Sequence, residues 1–140
     1  MKPKLPTEKQ ISIYGSLDEQ SAVRHFLGKD IEQAEAMFCD NFLKYQEDLM
    51  WMGPKAFCFY VDAAIAYLLS PSADEDSDAA SSFCGVLEFQ LQCYRVKISP
   101  SHPRLRKAIR KIIDDFERYD CDPKIYGDVK HRYEKLLGQL

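Results

Sequence analysis

Apolar positions recur at helical spacing along most of the chain. Ala22, Val23, Phe26 and Leu27 share one face, and Ser16 with Glu19 forms an S-x-x-E capping box before them. Gly28 stops this helix, and Asp30 with Gln33 starts another, whose stripe is Ile31, Ala34, Met37 and Phe38. Phe42, Tyr45, Leu49 and Trp51 or Met52 suit a further helical stretch over 41–53, although no single stripe is clean. Gly53-Pro54 closes that stretch and opens the next element, with proline at the first helical position, where its missing N–H costs nothing.

The segment 54–69 differs from the others. Lys55 and Asp62 are its only charged residues, and apolar side chains point almost all round it. Such a helix belongs at the centre of a domain. Lys55 and Asp62, two turns apart, are expected to mark its one solvent-facing edge.

Ser70-Pro71 ends the central helix, and PSADEDSD over 71–78 reads as an acidic loop. Asp76 or Ser77 should cap a helix over 77–94, with Arg95 to Ile98 as a possible extended tail before the break at 99–103. Leu105, Ala108, Ile109, Ile112, Ile113 and Phe116 predict a helix over 102–119. Asp122-Pro123 restarts the chain, Gly127 delays the regular helix, and Val129, Tyr133, Leu136 and Leu137 form the last inward face. Residues 1–15 carry Pro3 and Pro6 and an alternating patch, Ile11, Ile13 and Tyr14. They are expected to form an arm that packs as a short strand or extended segment.

No pair of strands is convincing and no internal repeat is present. The expected fold is all-α: an arm over 1–15, then one domain over 16–140, an irregular bundle of five or six helices around 54–69. The length of 140 residues suits one core. The longest apolar run, Ala63–Leu69, is too short for a membrane span, and Met1–Gln10 has no signal-peptide pattern. A cytoplasmic location follows as an expectation, with no membrane association.

Charge narrows the function classes. The net charge is −3. Residues 1–100 hold nine basic and fifteen acidic side chains, whereas 101–140 hold ten basic and seven acidic. An acidic chain argues against nucleic-acid binding. The five cysteines are odd in number and lack C-x-x-C spacing, which argues for reduced thiols in a helical core rather than a disulfide framework or a zinc site.

Catalytic motifs do not emerge. Asp74, Asp76 and Asp78 fit the first positions of a calcium loop, but Ala79 and Gly85 stand where glycine and a bidentate glutamate are required. H-E-x-x-H, G-x-S-x-G and a glycine-rich phosphate loop are missing from the sequence. The expectation is no metal, no cofactor and no enzymatic activity.

Three groups remain as candidate contact residues. Glu47, Asp48 and Trp51 combine acids with an aromatic, a mixture found at interfaces. Asp74, Glu75, Asp76 and Asp78 would meet a basic partner and speed association. Arg106, Lys107 and Arg110 crowd the start of their helix, against the helix dipole, with Arg110–Asp114 and Lys111–Asp115 as expected compensating pairs. A different class, a ligand pocket beside the central helix, would use Asp62, Tyr60 and Tyr67, with His25 and Cys84 nearby.

The segment YQEDLMWMGPKAF at 45–57, with Tyr60, Ala63-Ala64, Tyr67-Leu68, DEDSD and HFLGKDIEQAEAMF at 25–38, resembles a set of small bacterial proteins without a functional name. The resemblance covers roughly residues 16–92. In size, acidity and missing catalytic motifs the chain is also similar to small acidic immunity proteins that neutralise toxins. Such a resemblance implies a protein-binding module that occludes a partner. A separate reading is a homodimer that shields Trp51 and its neighbours, against a monomer.

Overall fold

The structure is a computed structural model that describes residues 3–140, and Met1 and Lys2 of the expected arm lie outside the described residues. The fold is all-α, as the spacing of apolar positions requires. Its helices are α1 (Glu8–Ile11), α2 (Leu17–Phe26), α3 (Ile31–Trp51), α4 (Pro54–Leu68), α5 (Ser77–Tyr94), α6 (His102–Asp114), α7 (Pro123–Tyr126) and α8 (Val129–Gln139). Six of them are ten residues or longer, and no strand occurs among the described residues.

The caps read from the sequence are formed. Ser16 and Glu19 close a reciprocal box at the start of α2, and Asp30 and Gln33 do the same for α3. Asp76 caps α5 through Ala79 N at 3.1 Å, and Asp122 caps α7; the last helix, α8, is capped by Asp128, which the sequence pattern did not single out. Gly127, at φ +74°, separates the last two helices.

Helix α3 runs through the region where no single stripe was clean, and the reason is a kink. Asn41 leaves helical geometry at φ −158° and ψ 87°, and its side-chain oxygen accepts from Lys44 N at 3.2 Å, recapping the second half. The kink re-aims the apolar face, so Ala34 and Phe38 before it and Phe42 and Leu49 after it are all buried.

Central helix α4 buries Ala56, Phe57, Tyr60, Val61, Ala63, Ala64 and Leu68, and α3 and α5 pack on it. At the α3–α4 corner the buried Gln90 of α5 donates from Nε2 to Met50 O and Met52 O, both at 2.9 Å. That side chain satisfies carbonyls which the end of α3 leaves open.

Four details differ from the expectation. The arm is not a strand: Thr7 and Gln10 form a capping box that starts α1, Ile11 is buried, and Ile13 and Tyr14 are exposed. Residues 95–98 are turns rather than an extended tail, because Arg95 stays helical at φ −44° and ψ −50°. The helix expected to reach 119 ends at Asp114, and Phe116–Tyr119 forms a 3-10 turn that still buries Phe116 and Tyr119. Cys84 alone among the five thiols is buried; Cys39 and Cys93 are exposed, and Cys58 and Cys121 are half-buried.

The arm is locked to the bundle at two places. Gly53 N donates to Ile11 O at 3.0 Å, and a Cβ on Gly53 would lie 2.3 Å from Gln10 O and 2.8 Å from the Ile13 side chain. Glu19 is buried and its carboxylate accepts from Ile13 N at 2.6 Å, Tyr14 N at 3.0 Å and Ser16 N at 3.0 Å. Burial pushes the Glu19 carboxyl up, but the donors from Tyr14, Ser16 and Ile13 outweigh it and hold the group below its ordinary value of 4.5.

Candidate functional site

The docked arm creates a groove. Pro3 and Leu5 form one wall, the α2–α3 turn and the first residues of α3 the other, and Cys58, Phe59 and Asp62 of α4 face it. Its volume is about 780 Å³, in the range of small-molecule pockets, although it lies open to solvent. Leu5, Ile31 and Phe59 give it apolar surface, and Asp30, Glu32 and Asp62 make its charge mainly acidic.

Asp62 is where the amphipathic reading placed it, at the wet edge of α4, with its side chain 41% exposed. Its partner comes from α6: Arg104 Nε donates to Asp62 Oδ1 at 3.0 Å and Nη2 donates to Cys58 O at 3.0 Å. The arginine therefore closes one end of the groove and ties α6 to α4. Both partners are substantially exposed, so the pair contributes at most about 1 kcal/mol. Burial raises the Cys58 thiol above its ordinary value, which keeps it protonated and a poor nucleophile at neutral pH.

The other expected pocket residues lie elsewhere. Tyr60 is buried, and its hydroxyl sits 2.8 Å from Phe26 O and 2.9 Å from Lys29 O, where it holds the end of α2. Burial pushes the Tyr60 hydroxyl up to about 12. Tyr67 donates to Asp76 Oδ2 at 2.5 Å; burial, then this bond and the Asp76 charge, raise it well above the ordinary tyrosine value. Cys84 is buried, which moves its thiol up to about 12.

The acidic loop is tied down residue by residue. Asp74 accepts from Arg118 Nε at 2.7 Å, Asp76 caps α5 and accepts from Tyr67, and Asp78 accepts from Tyr126 at 2.5 Å. Arg118 also donates to Leu68 O and Ser70 O, so the end of α4 is capped through the same side chain. Glu75 is exposed at φ +64° and is held by its own backbone N–H, which donates to Arg118 O at 2.7 Å. The three aspartates thus point to three separate protein partners, not to one centre.

The remaining candidates also separate. Glu47 is exposed, and Trp51 is 38% exposed with its ring against Phe89 at 4.8 Å. Asp48, expected on the contact surface, is buried. It accepts from Ser21 Oγ at 2.8 Å, and its Oδ2 lies 2.6 Å from His25 Nδ1. No sequence motif signals this cluster, because its parts are 23 and 27 residues apart. The hydroxyl bonds to the carboxylate rather than to the imidazole, so the order is not that of a nucleophile activated by histidine. The cluster joins α2 to α3.

On α6, Lys107 and Arg110 are exposed as expected, but Arg106 is half-buried and donates to Leu140 O at 2.7 Å. The pairs Arg110–Asp114 and Lys111–Asp115 are not formed. Ion pairs among the described residues link Arg104–Asp62, Arg118–Asp74 and Arg132–Glu88, and His25 meets Asp48, each contact between separate parts of the fold.

Sequence reading missed the arm, Arg104 and the α2–α3 turn as parts of one groove with Asp62. No local pattern carries that information, since the groove assembles from four separate segments. Among the described residues no group of three or more histidine, cysteine or acidic side chains is placed to hold a metal, and no helix is long and apolar enough to cross a membrane. No protein-family model matches the chain, and no curated protein or solved structure with significant similarity is found.

Proposed function

We propose that the protein is a non-enzymatic protein-binding module whose contact surface is the open groove between the arm, the start of α3 and α4. The observation that carries this reading is the pairing of apolar groove surface with carboxylates that stay open to solvent. Leu5, Ile31 and Phe59 offer area to bury, while Glu32 and Asp62 keep solvent-exposed carboxylates beside it. That combination suits a partner segment with an apolar anchor flanked by lysine or arginine. Inhibition of a toxin, in the manner of immunity proteins, is the specific form in which an acidic groove would cover a basic site. A cytoplasmic setting is part of the same proposal.

Affinity co-purification from the native cell tests the reading. One stoichiometric partner should accompany the wild-type protein and be lost with the double variant Glu32→Lys/Asp62→Lys. Retention of the same partner by the double variant would remove the groove from the proposal.

The groove's volume favours a second reading, a small-molecule binder held by the Asp62–Arg104 pair. Thermal-shift screening separates the two. A cationic or amide ligand that stabilises the wild type and not Arg104→Ala would favour the small molecule.

A further inference from the structure

The other side of the arm has the opposite charge. A second groove of about 460 Å³ is lined by Lys9, Gln10, Ile13, Pro54, Lys55 and Lys97. These lysines come from α1, the first turn of α4 and the turn after α5, and all three are exposed. Among the described residues none of them takes part in an ion pair. In a chain of net charge −3, three cations around one depression form a local field opposite in sign to the whole. The start of α4 adds to it, because Gly53 provides no side-chain cap for the helix.

The geometry points to a second docking surface, for an acidic segment of a protein partner. The surface is pre-formed. Gly53 N–H bonded to Ile11 O and the Glu19 carboxylate on Ile13 N fix the arm that makes one wall, so binding need not order it. Ile13 and Pro54 supply apolar surface between the lysines, and Ile13 is 45% exposed. An aspartate- or glutamate-rich stretch with one apolar side chain matches that arrangement in charge and in hydrophobicity. Nucleic acid matches it less well, because the groove has no aromatic ring on which a base could stack. A membrane surface would call for a wide apolar face rather than a concave one.

This inference is independent of the acidic groove, which has other walls and the opposite sign. The test uses a fluorescein-labelled peptide, Glu-Glu-Leu-Glu-Glu, and its lysine counterpart, with anisotropy read at about 50 mM salt to limit screening. Saturable binding of the acidic peptide only is expected. Lys9→Glu/Lys55→Glu/Lys97→Glu should weaken it by about tenfold or more, and Lys124→Glu/Lys135→Glu, on exposed positions of α7 and α8, should leave it within about twofold. The neutral variant Lys9→Gln/Lys55→Gln/Lys97→Gln serves if the charge reversal fails to fold, and it too should weaken binding. Absence of saturable binding, equal loss in the Lys124→Glu/Lys135→Glu control, or tighter binding of a thymidine oligonucleotide or of phosphatidylserine vesicles would overturn the inference. None of these outcomes bears on a partner lost through Glu32→Lys/Asp62→Lys, so the two proposals fail separately.

Discussion

The acidic loop at 74–78 and the grooves along the arm are both charged surfaces, but they use charge in opposite ways. In the loop Asp74, Asp76 and Asp78 each have a partner within the fold, in Arg118, Tyr67 and Tyr126. Along the arm Glu32, Lys9, Lys55 and Lys97 make no ion pair among the described residues, and Asp62 shares its one pair with open solvent. Density of charge in a sequence therefore does not measure charge available to a partner. What counts is whether the fold has already supplied the counter-group.

The comparison can be broken by removing what builds each region. Gly53→Ala should have the largest effect, because its Cβ would meet the Gln10 backbone at 2.3 Å. A loss of about 2–3 kcal/mol in chemical denaturation is expected, with faster proteolysis of residues 3–15. A loss below about 0.5 kcal/mol would mean that the arm shifts freely and that the groove walls are not rigid.

Arg118→Ala comes next and strikes the loop. It removes the Asp74 ion pair and one of two donors at Leu68 O and Ser70 O, which keep the Tyr119 hydroxyl and Ala73 N, and should cost about 1–2 kcal/mol. Lys107→Ala and Arg110→Ala, on exposed positions, should stay within about 0.5 kcal/mol.

Glu19→Gln sharpens the arm side through pH. The folded carboxyl lies below its ordinary value of 4.5, so its contribution is complete above that value and fades as pH falls through the folded pKa. The wild type should exceed the variant by about 1–2 kcal/mol at neutral pH, and the gap should shrink steadily below pH 4.5. A gap that stays constant from pH 7 to pH 3 would show that ionised Glu19 does not hold the arm. The smallest contrast is Asp74→Asn against Glu32→Gln. The first should cost up to about 1 kcal/mol and the second nothing measurable, because only the first removes an existing ion pair.

Helix identity was legible in the sequence because it depends on neighbours a few residues apart. Ser16, Asp30, Pro54, Asp76 and Asp122 act at the helix starts where they stand, and the apolar girth of 54–69 correctly places α4 in the core. The Thr7–Gln10 box was equally local and is the one cap that the alternating Ile11, Ile13 and Tyr14 obscured. The candidate site was far less legible. Asp62 could be assigned to the wet edge of its helix, but its link to Arg104, 42 residues away, could not. Asp48 showed the same limit from the other side. Its charge suggested exposure, yet Ser21 and His25 supply the bonds that make its burial tolerable.

The sequence by itself determined an all-α chain, most of its helix starts, its central helix and its overall acidity, since backbone caps and apolar periodicity act within a turn or two. Only the tertiary structure decided which charges are already paired, where the arm docks and which segments face one another across a groove. Those outcomes depend on contacts between residues tens of positions apart, and burial and counter-charge are properties of the packed fold rather than of any single stretch of chain.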